Sequence, residues 1–186
     1  MSKNIKIAVV VGSLRKDSVN RKAAEALVRI APSNFDFEFI EIGDLPHYDE
    51  DLDGADAPAP WRRLREQVSG ADAVLFVTPE YNRSVPGVLK NAIDVGSRPY
   101  GKSAWEKKPA AVMSVSPGGI GGFGANHHLR QSLVFLDMPV LQQPEAYVGG
   151  AYDLFDEKGE FKNEDSRAFF QKFIDAFGEW IERTAK

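Results

Sequence analysis

Three polar stretches of this sequence carry the residue types from which a ligand site can be built. The first, Gly12 to Asn20 (GSLRKDSVN), holds hydroxyls at Ser13 and Ser18, a guanidinium at Arg15 and an amide at Asn20, just ahead of an apolar helical pattern. Side-chain donors and the unpaired N–H groups of a helix start then face one space, which suits an anion. The stretch has neither the G-x-x-x-x-G-K-[ST] spacing that cradles a nucleoside triphosphate nor the G-x-G-x-x-G of a dinucleotide pyrophosphate, so a phosphate monoester fits better. A plain capped helix start, with Ser18 or Asn20 as N-cap, accounts for the same residues without a ligand.

The second stretch, Thr78 to Gly87 (TPEYNRSVPG), is stiffened by Pro79 and Pro86. Between them the Tyr81 ring can cover an aromatic ligand, while Asn82 and the backbone offer donors and acceptors to the edge of a heterocycle. An ordinary strand-to-helix turn is the competing reading. The third stretch, Ser116 to Gly124 (SPGGIGGFG), is dominated by glycine, so that backbone can approach a flat ligand closely. A flexible linker is the alternative there, and the position directly after an apolar strand argues against it.

The hydrophobic pattern shows what must position these loops. Ile5 to Val11, interrupted only by Lys6, reads as a central parallel strand buried on both faces. Arg21 to Ile30 follows with Ala23, Ala24, Leu27, Val28 and Ile30 on one helical face. Phe35, Phe37 and Phe39 alternate with Asp36 and Glu38 before Ile40 and Ile42 take the other parity, which predicts a second strand with a bulge. Leu45 to Pro60 is rich in Pro, Asp and Gly, a candidate wall for a site, and a helix is expected from about Trp61 to Ser69.

Ala71 to Val77 and Pro109 to Val115 read as the third and fourth strands, Pro86 to Val95 and about Asn126 to Leu136 as the helices after them. Val140 to Val148 holds a fifth strand. Phe169, Phe170, Phe173, Ile174, Phe177, Trp180 and Ile181 recur at helical spacing and belong to the core face of a last helix. The alternation predicts an α/β doubly wound fold, a single domain over residues 1–186 with a five-stranded parallel sheet in the order 2-1-3-4-5. In such sheets ligands bind beyond the carboxyl ends of the strands at the topological switch point, where the three loops fall.

Composition narrows the function. A formal net charge of -4 gives no basic footprint for nucleic acid. The absence of cysteine rules out a thiolate nucleophile, a disulfide and an iron–sulfur cluster, so redox chemistry would need a bound cofactor. The apolar run near the start is too short to cross a membrane and lacks a cleavage site after it, and a cytoplasmic protein with no membrane insertion is expected. His127 and His128 are adjacent, so on a helix they diverge and make a poor metal pair. A structural or subunit-contact role suits them better. Asp153, Asp156, Glu157 and Glu160 do not keep the register of a calcium loop around Gly159, and no metal is expected.

Taken together, GSLRKDSVN, TPEYNRSVPGVLKNAID and SVSPGGIGGFGANHHLRQSLVFLDMPV resemble the NAD(P)H-dependent FMN reductases, in particular their bacterial chromate and quinone reductase branch. The resemblance runs from Ile5 to about Gly150 and includes LPHYDEDL at Leu45 to Leu52. It implies a flavodoxin-like three-layer sandwich that binds FMN and uses NADH or NADPH as hydride donor. It also implies that Ser13, Arg15, Ser18, Val19 and Asn20 hold the phosphate and ribityl end, that Pro79, Glu80, Tyr81 and Asn82 border the isoalloxazine ring largely through backbone groups, and that Ser116, Gly118 and Gly119 line its other side. No catalytic side chain is expected, because the flavin carries the chemistry.

The implied acceptor is a quinone, with chromate, azo compounds or free flavin as further acceptors and ping-pong transfer through one site. The implied assembly is a homodimer or homotetramer with the flavin near a subunit interface. Arg83 and Arg98, with Lys102, can form a positive rim for substrate, and ordinary solvated surface is the competing reading. Two other classes stay open: a flavodoxin-type electron carrier, which the same fold permits, and a non-enzymatic binding protein.

Overall fold

The computed structural model describes residues 4–184. Five parallel strands, β1 (Ile5–Val11), β2 (Phe35–Phe39), β3 (Ala73–Thr78), β4 (Ala110–Val115) and β5 (Ala146–Val148), form one sheet in the order β2-β1-β3-β4-β5. The central strands are apolar nearly throughout because helices cover both faces. Ala8, Val10, Val74, Phe76 and Val112 point to one side, under α2 (Ala59–Gly70), α3 (Gly87–Gly96) and α4 (Phe123–Phe135). Ile7, Val9, Leu75, Val77 and Met113 point to the other, under α1 (Val19–Ile30) and α5 (Glu164–Thr184). This is the flavodoxin-like doubly wound arrangement, and it sets the carboxyl ends of β1, β3 and β4 side by side.

Helix α5 inserts Phe170, Phe173, Ile174, Phe177 and Ile181 into the second of these layers. Each such fully buried side chain stabilises the fold by about 1.5 to 3 kcal/mol. Asn163 starts the helix by accepting from the Ser166 amide at 2.8 Å. Trp180, at the rim, donates its indole N–H to the Pro139 carbonyl at 2.8 Å. No helix among the described residues is long and apolar enough to cross a membrane.

Several boundaries differ from the sequence expectation, each for a local reason. Strand β2 pairs with β1 in unbroken register and ends at Phe39, so there is no bulge. Ile40 and Ile42 are buried in the loop beyond it. Of the stretch Val140 to Val148 only Ala146–Val148 is strand, since Pro144 cannot donate to a ladder; Val140 makes an isolated bridge to Ala110. Helix α1 starts at Val19 with Ser18 as N-cap, its hydroxyl accepting from the Arg21 amide at 3.2 Å, which puts Asn20 inside the helix. Helix α4 starts at Phe123, one turn earlier than the apolar pattern indicates.

The long excursion between β2 and α2 has one short 3-10 turn, Glu50–Leu52, and is held largely by side chains, Asn91 and Arg65 among them. Asn91 of α3 accepts from the Tyr48 amide at 2.8 Å and donates to the Leu45 and Pro46 carbonyls. Arg65 of α2 makes two hydrogen bonds to the Asp53 carboxylate, at 2.7 and 2.9 Å, and a third to the Val95 carbonyl. This ion pair is largely buried, with Arg65 16% and Asp53 5% exposed.

Candidate functional site

The carboxyl ends of β1, β3 and β4 converge on a cavity of about 100 Å³ lined by Ser13, Arg15, Ser18, Val19, Asn20, Pro79, Glu80, Tyr81 and Ser116, together with Val115 and Pro117. The β1 loop can enter because Gly12 has no side chain: a Cβ there would lie 2.9 Å from the Thr78 hydroxyl and 3.1 Å from Leu89. The Gly12 amide extends the ladder to the Val77 carbonyl at 2.9 Å, which pins the start of the loop to β3.

Helix α1 aims its first turn into this space. No acidic residue stands in that turn, so the positive end of the helix is uncompensated, and the N–H groups of Val19 and Asn20 have no acceptor within the helix. Arg15 is exposed and makes no hydrogen bond or ion pair among the described residues. Asn20, 2% exposed, donates Nδ2 to the Val115 carbonyl at 3.2 Å, while its Oδ1 is buried without a partner. A buried acceptor left unpaired costs about 1 to 3 kcal/mol, so this atom calls for a ligand donor. The cavity has room for a phosphoryl group and the start of a chain attached to it.

The β3 loop closes one side. Asn82 and Arg83 both have left-handed backbone, φ 52° and 62°, and the Tyr81 and Ser84 amides and carbonyls pair across them at 3.0 Å. The tight turn leaves Tyr81 half exposed beside the cavity. The Glu80 side chain turns away from the cavity mouth: Oε2 accepts from the Ala125 amide in the first turn of α4 at 3.0 Å, and Oε1 pairs with Arg83 at 2.9 Å. Only the backbone of Glu80 is then free to address a ligand.

The glycines after β4 divide into two groups. Gly121 and Gly122 have left-handed backbone and meet protein: a Cβ on Gly121 would lie 2.5 Å from the Tyr147 carbonyl carbon, and one on Gly124 would lie 2.7 Å from the Arg83 carbonyl oxygen. The Ser114 hydroxyl donates to the Gly121 carbonyl at 2.7 Å, and Asn126 Nδ2 donates to Ser114 and to the Ala146 carbonyl, tying the loop over the end of β4. Gly118 and Gly119 instead face open space, with the Gly118 amide resting on the Ser116 hydroxyl at 3.2 Å. These two are the glycines over which a flat group can lie.

Asn82, Gly118 and Gly119 do not line the cavity, and Val115 and Pro117 join it unanticipated by the sequence reading. Arg83 is 71% exposed, paired with Glu80, and does not line the cavity. Arg98 lies apart, bonding Ser97 and lining a larger groove of about 670 Å³ between α3 and α4. No residue of the 45–60 excursion lines the cavity. The two histidines diverge as expected: His127 pairs with the Tyr147 hydroxyl at 2.8 Å and His128 with Ser84 at 3.0 Å. Burial, then the neighbouring Glu145 carboxylate, push the Tyr147 phenol up to about 12, so it keeps its proton in the first of these pairs. No cluster of metal-ligating side chains exists among the described residues.

Comparison with known proteins gives a consistent picture. Residues 5–153 match the family model described as NADPH-dependent FMN reductase. A quinone reductase of Pseudomonas putida is 62% identical over 181 residues, 97% of each chain. A 2-hydroxy-1,4-benzoquinone reductase of a Burkholderia species is 48% identical, covering 95% of this chain and 96% of its own. The solved structure of FerB, a flavoenzyme NAD(P)H:(acceptor) oxidoreductase of Paracoccus denitrificans, superimposes with a TM-score of 0.93 at 44% identity, covering 98% of this chain and all of that one.

Proposed function

The chain belongs to the NADPH-dependent FMN reductase family and is an oxidoreductase, and from that premise we propose that it binds FMN beyond β1, β3 and β4 and reduces quinones at the expense of NADH or NADPH. The observation that carries the reading is the cavity in which Ser13, Arg15 and the first turn of α1 meet the unpaired Oδ1 of Asn20. FMN fits this donor set at both ends. Its phosphate suits the hydroxyls of Ser13 and Ser18, the Arg15 guanidinium and the Val19 and Asn20 amides, and a ribityl hydroxyl is the donor that Asn20 Oδ1 lacks. Pro79, Glu80, Tyr81 and Asn82 would border the ring on one side, and Ser116, Gly118 and Gly119 on the other.

When bound, FMN supplies the redox chemistry, accepting hydride from a reduced nicotinamide and returning two electrons to an acceptor, so no protein nucleophile is needed. The protein's part is to hold the phosphate, fix the ring plane and leave one open approach. One open face of the ring, used by donor and acceptor in turn, would give ping-pong kinetics. Chromate, azo compounds and free flavin are further acceptors under this reading, with Arg83, exposed on the β3 loop, a cation for them. Arg98 would reach an acceptor only across an assembly. Val134 and Phe135 at the end of α4 are 73% and 77% exposed, apolar surface that supports a homodimer or homotetramer; a cytoplasmic location belongs to the same reading.

The test is the flavin spectrum of the purified protein together with NADH and NADPH consumption against a quinone panel. Many turnovers per flavin support the enzyme. Bound flavin without turnover would point to an electron carrier, and failure to take up added FMN would overturn the flavin reading altogether.

A further inference from the structure

Beside the flavin-phosphate cavity lies a second depression, of about 280 Å³, across the carboxyl ends of β1 and β2. It shares Ser13 and Arg15 with the first and continues past them to Leu14, Arg21, Glu41 and Ile42. The two loops that form it are in contact: a Cβ on Gly43 would lie 2.9 Å from both Leu14 Cδ2 and Glu41 Oε1. Its charged groups are exposed and only partly engaged by protein. Glu41 is oriented by the Gly43 amide, which donates to Oε1 at 2.7 Å, and by the neighbouring Arg63, which bonds its backbone carbonyl at 2.9 Å; Oε2 makes no hydrogen bond among the described residues. Arg21 stacks 3.8 Å over the Phe39 ring and commits only Nε, to Glu25, leaving its terminal nitrogens without a protein partner among the described residues. Leu14, 59% exposed, and the buried Ile42 supply an apolar wall and floor.

We propose that this depression binds an adenosine 5′-phosphate group, with Arg21 on its phosphate, Arg15 left to the flavin phosphate, Leu14 and Ile42 against the purine and Glu41 on the ribose hydroxyls. The chemistry asks for a ligand that is anionic at the edge shared with the flavin-phosphate cavity, flat and apolar over Leu14, and able to donate hydroxyls to a fixed carboxylate. Glu41 also stands just past β2, where nucleotide-binding α/β sheets set the acidic residue that accepts from an adenosine ribose. Two molecules carry this group into the neighbourhood of the flavin: the nicotinamide donor, through its ADP half, and FAD, through its AMP half. In the first case the carboxylate favours a ribose 2′-hydroxyl over a 2′-phosphate, and with it NADH over NADPH.

The inference rests on the flavin reading, and the two fail separately. Calorimetric titration of the FMN-loaded protein with AMP is expected to give saturable binding that Glu41→Gln and Arg21→Gln each weaken about tenfold or more, with FMN affinity unchanged. If the nicotinamide is the source, both variants raise KM for NADH by a similar factor at unchanged kcat, and Glu41→Gln narrows the NADH preference. If FAD is the source, FAD displaces bound FMN from the unmodified protein and the variants lose that advantage. No AMP binding, or AMP binding indifferent to both variants, in protein that holds FMN normally overturns the proposal. Failure of the unmodified protein to hold FMN overturns the flavin reading instead.

Discussion

Glu80 offers the sharpest test of how the site is held together, because its side chain links the β3 loop to the start of α4. The N-cap of α4 is Gly122, which has no side chain to offer, and the capping acceptor comes instead from Glu80 Oε2 on the Ala125 amide at 3.0 Å. A carboxylate on a helix N-terminal N–H is a charge-assisted hydrogen bond, worth about 1.5 to 3 kcal/mol. Glu80 is only 10% exposed, so solvent screening removes little of it; Arg83, 71% exposed, adds at most about 1 kcal/mol through its pair with Glu80. Glu80→Ala is therefore expected to destabilise the flavin-free protein by about 1.5 to 3 kcal/mol, a fall in Tm of about 3 to 12 °C for a chain of this size. Glu80→Gln, which keeps an acceptor without the charge, should fall between. Urea unfolding followed by circular dichroism, with the slope against denaturant unchanged, reads the difference. A Glu80→Ala protein melting within about 1 °C of the parent, or an Arg83→Ala protein destabilised as much as Glu80→Ala, would refute the argument.

Three further perturbations address the rest of the site. Arg15→Ala should weaken FMN binding by about 10- to 100-fold while leaving riboflavin, which has no phosphate, unaffected in a fluorescence titration; equal losses for both would remove Arg15 from the phosphate. Gly121→Ala places a Cβ 2.5 Å from the β5 backbone on a left-handed residue and should cost about 2 to 5 kcal/mol, whereas Gly119→Ala, with open space around it, should stay within about 0.5 kcal/mol in urea yet bind flavin or donor less well. Asp53→Ala leaves the buried Arg65 unpaired and should cost about 3 to 5 kcal/mol by the same unfolding assay, with much of it recovered when Arg65→Met is added; no recovery would mean that the charge pair is not the cause.

The fold was legible because the central strands are buried on both faces and therefore spell out nearly continuous apolar runs, and because β2 and α5 keep the periods of a half-covered strand and a one-faced helix. The first-loop residues were legible for a similar reason, since Ser13, Arg15, Ser18, Val19 and Asn20 are neighbours in sequence and stay neighbours in space. What could not be read is non-local. The start of α4 depends on a carboxylate that comes from another loop, and the apolar pattern of α4 alone begins too late. The glycines after β4 look alike in sequence, yet Gly121, Gly122 and Gly124 are fixed by contacts with β5, Ser114 and the β3 loop, and only Gly118 and Gly119 remain open. Arg21 and Glu41 gave no signal, because a helix surface and a strand end meet only once the sheet is formed.

The two anchors on the excursion between β2 and α2 bear on how the family can vary. By fixing Tyr48 through Asn91 and Asp53 through Arg65, the fold cuts one long closed loop into short ones, each with its own small closure entropy. Between Asp53 and Pro58, residues 54–56 are exposed and Gly54 meets nothing, so lengthening the chain there is cheap: each doubling of a flexible loop costs only about 0.6 kcal/mol. A single insertion between Leu45 and Tyr48 would instead pull apart the amide pairing on Asn91. Length variation is thus steered to one side of the loop, while the wall it builds against α2 and α3 keeps its shape.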